Sequence, residues 1–449
     1  MTPQVAVIGS GPSGMYAADA LAEAGAKVDV FDRLPVPFGL VRYGVAPDHV
    51  SIRSVRDTLD KIWDNDHIRF VGNVDVGTDI SVEDLRGAYD AVVLTYGASA
   101  DRRLGIEGED LEGSVAATDF VAWYTGHPAY GGPDFESLLA HVRSVAVIGV
   151  GNVAVDVVRV LSKSPEELSA TDMPDHVLAA LAAAPVEQVH LIGRRGPIQA
   201  SFTTKELKEL GELHECDVHV RAEDLDLDPI SQADLEASKV AARNLTVLRE
   251  WNERAPRGEV SGHIDLHFFT RPTRIVGTDK VEALEMERTA FDDSGRLVAT
   301  GESTRIPVDL VVRSVGYRGR PLGSLPFDED RGVIPNSDGR VLEGDRVVPG
   351  LYVAGWIKRG PTGIIGTNKK CAVGTVASLL ADIESGALSV RDRTGEADFV
   401  DGLADDGEAV VTTPGWRAVD TEERRRGKER GKERITVHDH AELLRIAST

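Results

Sequence analysis

Gly9-Ser10-Gly11-Pro12-Ser13-Gly14 follows the pattern GxGxxG. At this spacing the first glycine turns the backbone tightly, the second removes a side chain where a pyrophosphate must approach, and the third lets a helix pack close on a strand. The helix N-terminus then offers free N–H groups and the positive end of its dipole to phosphate. Asp32 follows 23 residues after Gly9, at the end of the apolar run VDVF. An acid placed there accepts hydrogen bonds from ribose hydroxyls and repels a 2′-phosphate, so this site is expected to take FAD or NAD rather than NADP. The plainer alternative is a glycine turn beside a surface aspartate.

A second such turn, Gly149-Val150-Gly151-Asn152-Val153-Ala154, matches GxGxxA. Here the next strand ends in Gly193-Arg194-Arg195-Gly196, with no acid. Two guanidiniums suit a 2′-phosphate, which they can hold through paired charge-assisted hydrogen bonds, so NADP is the expected ligand. Gly149 and Arg194 stand 45 residues apart because of an insertion, so position after the strand carries the argument rather than spacing. A solvated arginine turn is the alternative.

The elements that must position these residues are legible around them. QVAVI (4–8), a glycine turn, an alanine-rich helix to about Ala24 and a strand from Val28 to Phe31 make a βαβ unit. VRSVAVIG (142–149), the helix GNVAVDVVRVLS and QVHLIG (188–193) repeat it. The expected fold class is α/β, with two doubly wound dinucleotide-binding domains. Further strands are expected at HIDLHFF, DLVVRSVG (309–316) and LYVAG (351–355), and a helix near Ala372 to Ile383. Residues 396–408 are acidic, and EERRRGKERGKER (422–434) reads as a solvated helix or tail.

A chain of 449 residues accommodates two domains of ordinary size with extensions. The net charge of −23 argues against nucleic acid and anionic membrane as partners. Cys216 and Cys371 form no CxxC pair, which leaves a disulfide scaffold, a structural zinc site and a protein-held iron-sulfur cluster unsupported. An apolar strand follows Gln4 at once, with no basic leader, and no apolar run approaches the ~18 residues of a membrane span. Cytoplasmic location is the resulting expectation.

Between the two turns lies Pro35-Val36-Pro37-Phe38-Gly39-Leu40-Val41-Arg42-Tyr43-Gly44-Val45-Ala46-Pro47-Asp48-His49. Together with GNVAVDVVRVL, LIGRRGPIQASFTTKELKEL and GLYVAGWIKRGPTGIIGTNKK, this block resembles the adrenodoxin reductase type of ferredoxin-NADP reductase and its actinobacterial relatives. The resemblance spans most of residues 4–380, and the closing HDHAELLRIA is similar to bacterial members. It implies a discontinuous FAD domain (1–104 and 322–449, extended from about 385) with an NADP domain (105–321) inserted in it. Ser13, Asp32, Leu40 and Val76 would lie along FAD, and Trp356, Gly363, Ile364 and Ile365 at the flavin ring. Asn152 and Val153 would meet the NADP pyrophosphate, with Arg102, Arg194, Arg195 and Glu206 around the adenosine end. Relatives commonly carry Glu where this chain has the shorter Asp32.

The activity implied is transfer of a hydride from NADPH to FAD, then of single electrons to a ferredoxin-type iron-sulfur protein, with a cytochrome P450 as one downstream user open to it. Trp356 would border the ring, and His49 and Asp156 would form a polar network linked to proton movement, or else a structural hydrogen bond. A flavin disulfide reductase would need a redox CxxC and a glutamate synthase subunit a cysteine cluster, and both are missing. Other readings are a flavin reductase with no dedicated ferredoxin, or a non-catalytic NADP sensor. Docking of an acidic partner needs a local basic patch, expected at Lys358, Arg359 and Arg42 rather than in the 424–434 run.

Overall fold

Alternate residues of the first strands go to different buried clusters in the computed structural model. Val5, Val7, Val28, Val30, Ala91 and Val93 belong to one, and Ala6, Ile8, Phe31, Val92 and Leu94 to the other. Such near-continuous apolar strands form a parallel sheet covered on both faces. The structure describes residues 1–257, 260–393, 395–405 and 409–449. It divides into two units, Met1–Ala100 with Thr125–Ala129 and Tyr317–Thr449, and Asp101–Tyr124 with Tyr130–Gly316. The second is an insertion in the chain of the first.

The first unit is built on an eight-stranded sheet. Its parallel centre runs Arg346–Val353, Ala91–Leu94, Gln4–Ile8, Lys27–Asp32, Ile68–Gly72. Antiparallel strands Arg340–Glu343 and Val411–Thr412 flank it. Strand order reverses between Gln4–Ile8 and Ala91–Leu94, the kind of switch point at which doubly wound sheets bind ligands. Helices Pro12–Glu23 and Ile365–Glu384 pack against one another. The latter begins seven residues before the expected Ala372, because Thr367 in its first turn accepts a hydrogen bond from the Ile364 amide and fixes the start there.

The inserted unit has a parallel six-stranded sheet in the order Ser114–Ala116, Leu310–Arg313, Ser144–Ile148, Gln188–Ile192, Gly262–His267, Cys216–Val220. An antiparallel sheet of Thr270–Val276, Ala283–Phe291 and Leu297–Pro307 packs apolar residues with it, including Ile275, Leu284 and Met286 against Ala146, Ile148 and Ile192. The segment between the second glycine helix and its next strand carries helices Pro165–Ser169 and Asp175–Ala183.

The run 422–434 is not a solvated tail. Its first part continues the helix Thr413–Glu429, whose buried residues Trp416, Val419, Glu423 and Gly427 recur at helical spacing on one face. Glu423 and Arg434 are fully buried, and only the outward residues form the surface ladder that charge density suggests, such as Arg425 with Glu422. The acidic stretch 396–408 extends beyond the described residues. Among the described residues, no helix is long and apolar enough to cross a membrane.

Candidate dinucleotide-binding sites

Gly9 ends its strand at φ +103°, and its amide donates to the Phe31 carbonyl at 2.7 Å. A Cβ at Gly9 would stand 2.9 Å from the Tyr96 Cα, in the segment just after the neighbouring Ala91–Leu94 strand. At Gly14 a Cβ would come within 1.8 Å of the Gly9 carbonyl oxygen. Both glycines are therefore required by the protein's own packing. At Gly11 a Cβ would meet no protein atom within 4 Å. Its lack of a side chain is not demanded by the packing of the chain itself. Gly11 is also the N-cap of Pro12–Glu23, which has no side-chain cap and no acid in its first turn, leaving its amides available to an anion.

Asp32 accepts hydrogen bonds from the Ser10 amide at 2.8 Å, the Ser10 hydroxyl and the Leu34 amide at 3.0 Å. Burial pushes its carboxyl upward, and these bonds oppose that rise. It thus shapes the turn, while a carboxylate with four lone-pair sites retains capacity for a ribose hydroxyl. The FGLVRYG segment crosses the same place, for Phe38 donates its amide to Ser10 at 3.1 Å and Gly39 would bring a Cβ to 3.2 Å from the Gly11 Cα. Leu40 stands exposed at the start of the helix Leu40–Tyr43. The Val76 side chain is spent in the core.

The other end of this site is tied to the first helix by contacts far apart in sequence. Gly355, at φ +76°, would clash with Ser13 if it carried a Cβ, which would lie 2.3 Å from the Oγ. Ser13 Oγ donates to Asn368 Oδ1 at 3.1 Å, and Arg359 Nη2 donates to the same oxygen at 2.6 Å. The Gly355 amide points at the Cys371 sulfur, 3.3 Å away. Trp356 follows, its ring 5.6 Å from that of Tyr317, and its buried Nε1 has no hydrogen-bond partner among the described residues. Gly363 adopts φ +83°, Ile364 is 68% exposed and Ile365 packs partly on the core. His49 is buried, with its amide donating to the Ala46 carbonyl at 3.0 Å.

The inserted unit repeats the first turn. Gly149 has φ +129°, and a Cβ there would lie 2.1 Å from the Ser314 carbonyl oxygen, again just after a neighbouring strand. Gly151 caps Asn152–Ser162 with no side-chain cap and no acid in the first turn. Asn152 Oδ1 accepts from the Thr203 amide at 2.8 Å, and Val153 follows it in the same first turn. Arg194 and Arg195 are exposed, and neither has an ion pair among the described residues. The Arg194 and Arg195 carbonyls are held by Thr289 Oγ1 at 2.7 Å and the Phe269 amide at 3.0 Å, so the turn is fixed while its guanidiniums stay available. Arg102 is exposed, its amide bonded to the Gly316 carbonyl at 3.0 Å. Glu206 is buried and accepts from Thr203 Oγ1 at 2.8 Å, within the first turn of Thr204–Gly211. Asp156 pairs with Arg159 at 2.9 Å.

Two further residues hold the first turn, for Thr95 Oγ1 donates to the Ile8 carbonyl at 2.8 Å and the Gly9 carbonyl at 2.9 Å, and Asn368 receives Ser13. Thr203 with Glu206 carries a readable signal, the spacing of a capping box. Asn368, Thr95 and the contact of Cys371 with Gly355 carry none, since each acts on partners remote in sequence. Arg42 is a correction: it is 1% exposed and ion-paired with Glu423, so it offers no charge to a docking partner.

A family model described as pyridine nucleotide-disulphide oxidoreductase matches residues 3–223. The NADPH-ferredoxin reductase FprA of Mycobacterium tuberculosis (strain ATCC 25618 / H37Rv) is 44% identical, over 98% of this chain and 98% of its own length. The mitochondrial NADPH:adrenodoxin oxidoreductase of Arabidopsis thaliana is 38% identical, over 99% of this chain and 95% of its own. The solved structure of Mycobacterium tuberculosis FprA in complex with NADPH matches with a TM-score of 0.92 and 42% identity, covering 100% of both chains.

Proposed function

The chain belongs to the family of NADPH-ferredoxin reductases and NADPH:adrenodoxin oxidoreductases, and from that premise we propose that it is an FAD-dependent NADPH:ferredoxin oxidoreductase. The observation that carries this reading is the pair of uncapped helix N-termini behind glycine turns, the first followed by Asp32 and the second by Arg194 and Arg195. FAD, when bound, supplies the conversion of a two-electron hydride into single electrons. Residues 1–104 with 322–449 are assigned to FAD and 105–321 to NADP.

The residues present fit both groups. Gly11 and the amides of the Ser13–Gly14 turn hold the FAD pyrophosphate, and Asp32 takes a ribose hydroxyl. Leu40 and the Val76 backbone line the dinucleotide. Trp356, Gly363, Ile364 and Ile365 border the flavin ring, where the unpartnered indole N–H and the exposed Ile364 await an apolar and polar neighbour. Asn152, Val153 and Gly151 receive the NADP pyrophosphate, and Arg194 and Arg195, with Arg102, the 2′-phosphate. Glu206, already held by Thr203, positions its end of the site. His49 and Asp156 are assigned to a polar network linked to proton movement; hydride transfer itself needs no side-chain acid or base. Cys216 and Cys371 are both free thiols and form no CxxC pair, so a dithiol step has no support.

The acceptor is a ferredoxin-type iron-sulfur protein, serving a cytochrome P450, in the cytoplasm. Stopped-flow mixing of the purified chain with NADPH and candidate two-, three- and four-iron ferredoxins tests this. Fast reduction of at least one is expected. Turnover with small acceptors alone would reduce the reading to an NADPH-dependent flavin reductase.

A further inference from the structure

One face of the inserted unit's sheet is unusually rich in histidine. In-register neighbours of parallel strands point to the same side, and the pairing puts Asp265 of Gly262–His267 beside His190 on one flank and His219 on the other. His263 lies between Gln188 and Asp217 in the row before, and His267 beside Ile192 in the row after. Three of these side chains converge. His190 Nδ1 is 3.1 Å from His267 Nε2 and 3.5 Å from Asp265 Oδ2, and all the potential ligand atoms lie within 4.8 Å of one another.

We propose that His190, Asp265 and His267 form a Zn2+ site on this sheet, distinct from the dinucleotide sites. Two ligand atoms on a tetrahedral Zn2+ with bonds near 2.0–2.1 Å stand about 3.3 Å apart, so the two measured edges already have the required length. Two imidazoles and one carboxylate are a donor set that zinc accepts, with a position left for water. The carboxylate is held in place by Gln188, whose Nε2 donates at 2.8 Å to Asp265 Oδ2, the oxygen that faces His190, leaving that oxygen's second lone pair for the ion.

Without an ion, His190 Nδ1 faces both an acceptor oxygen and the other imidazole with a single proton to share, whereas an ion satisfies all three atoms at once. Arg221 and Arg288, which both donate to the Phe268 carbonyl beside His267, do not confront the site with bare charge, since both are paired on the buried Asp224. Asp265 and His267 are half-buried, which leaves a route in. The ion would pin Gln188–Ile192 to Gly262–His267 just where the Gly193 amide donates to the His267 carbonyl at 2.8 Å, at the root of the Arg194–Arg195 turn.

The test is equilibrium dialysis of Zn2+ against the full-length, flavin-loaded protein after stripping with EDTA. One Zn2+ per chain is expected, with affinity lowered at least about 10-fold in His190→Gln and in His267→Gln. His263→Gln removes one member of the exposed His219–His263 pair, whose rings are 5.7 Å apart, and should change nothing. Substoichiometric binding by the unaltered protein, or loss in His263→Gln equal to that in His190→Gln, would overturn the proposal. Co2+ added to the unaltered protein gives a check independent of folding. Four-coordinate absorption bands to the red of the flavin support the site, and only weak six-coordinate bands refute it.

Discussion

A methyl group at Gly11 and one at Gly14 ask different questions of the same turn. Gly14→Ala places a Cβ against the Gly9 carbonyl, which is backbone and cannot swing aside, so a loss of about 1–3 kcal/mol is expected from overpacking. Gly11→Ala meets no protein atom and its φ of −68° suits any residue, so stability of the flavin-free protein should stay within about 0.5 kcal/mol. The same variant should nevertheless lose its FAD, because the methyl occupies the phosphate's place. Thermal unfolding of the apoprotein beside flavin content after gel filtration separates the two. Retention of FAD by Gly11→Ala would show that the dinucleotide does not use this turn. At the second site Arg194→Ala or Arg195→Ala should cost about 1.5–3 kcal/mol in NADPH use, roughly 10- to 150-fold in kcat/KM. NADH, which lacks the 2′-phosphate, should barely respond. Equal losses for both nucleotides would make the arginines mere supports of the turn.

The helix Thr413–Glu429 shows what a single buried carboxylate does for an element. Glu423 accepts hydrogen bonds from Arg42 of the FGLVRYG segment, from Arg434 at 3.1 Å and from the Val437 amide at 2.8 Å. Glu423→Ala strands the buried Arg42 guanidinium and leaves Arg434 its pair with Asp420 at 2.9 Å, which should cost about 3–5 kcal/mol, read as the midpoint of denaturant unfolding. Burial alone would raise this carboxyl, but Arg42 and then Arg434 outweigh it and hold it below the usual range. The unfolded chain therefore binds the proton more readily. The stabilisation is complete above the unfolded value of about 4.3 and is lost as pH falls through the lower folded value. Glu423→Gln should flatten that acid limb of the stability curve, and an unchanged limb would show that other carboxylates govern it. The partners of Glu423 were not legible in the sequence. The glycine turns were, because strand, turn, helix and acid lie within residues 4–32 and each constrains the next. Ser13 and Asn368 are 355 residues apart, and Arg42 and Glu423 are 381 apart, so no local pattern joins them. Charge density in 422–434 pointed to solvent, although the spacing of Trp416, Val419 and Glu423 marked an inward face.

For the whole molecule the difficulty is electrostatic, since a chain of net charge −23 must receive a partner that is itself acidic in most ferredoxins. Local cations have to supply the attraction, and the structure narrows which. Arg42 is buried, Arg359 holds the Asn368 oxygen that also receives Ser13, and Lys358 Nζ is bonded to Thr375 at 3.0 Å. Charge reversal at those positions would break these intrachain contacts before it reported on docking. Deletion after Thr421 would remove Glu423 and with it the burial of Arg42. Lys369 and Lys370 are better placed, being exposed on the Ile365–Glu384 helix five to seven residues beyond Gly363 and Ile364. If the partner docks there, Lys369→Glu with Lys370→Glu should slow ferredoxin reduction roughly 10-fold or more at low ionic strength. The native enzyme should slow as salt shortens the screening length toward ~10 Å at 0.1 M, and the double variant should show little further loss. NADPH oxidation by a small neutral acceptor should be the same in both, since it needs no steering. A double variant that kept the native rate and salt dependence with ferredoxin would move the docking surface away from this helix.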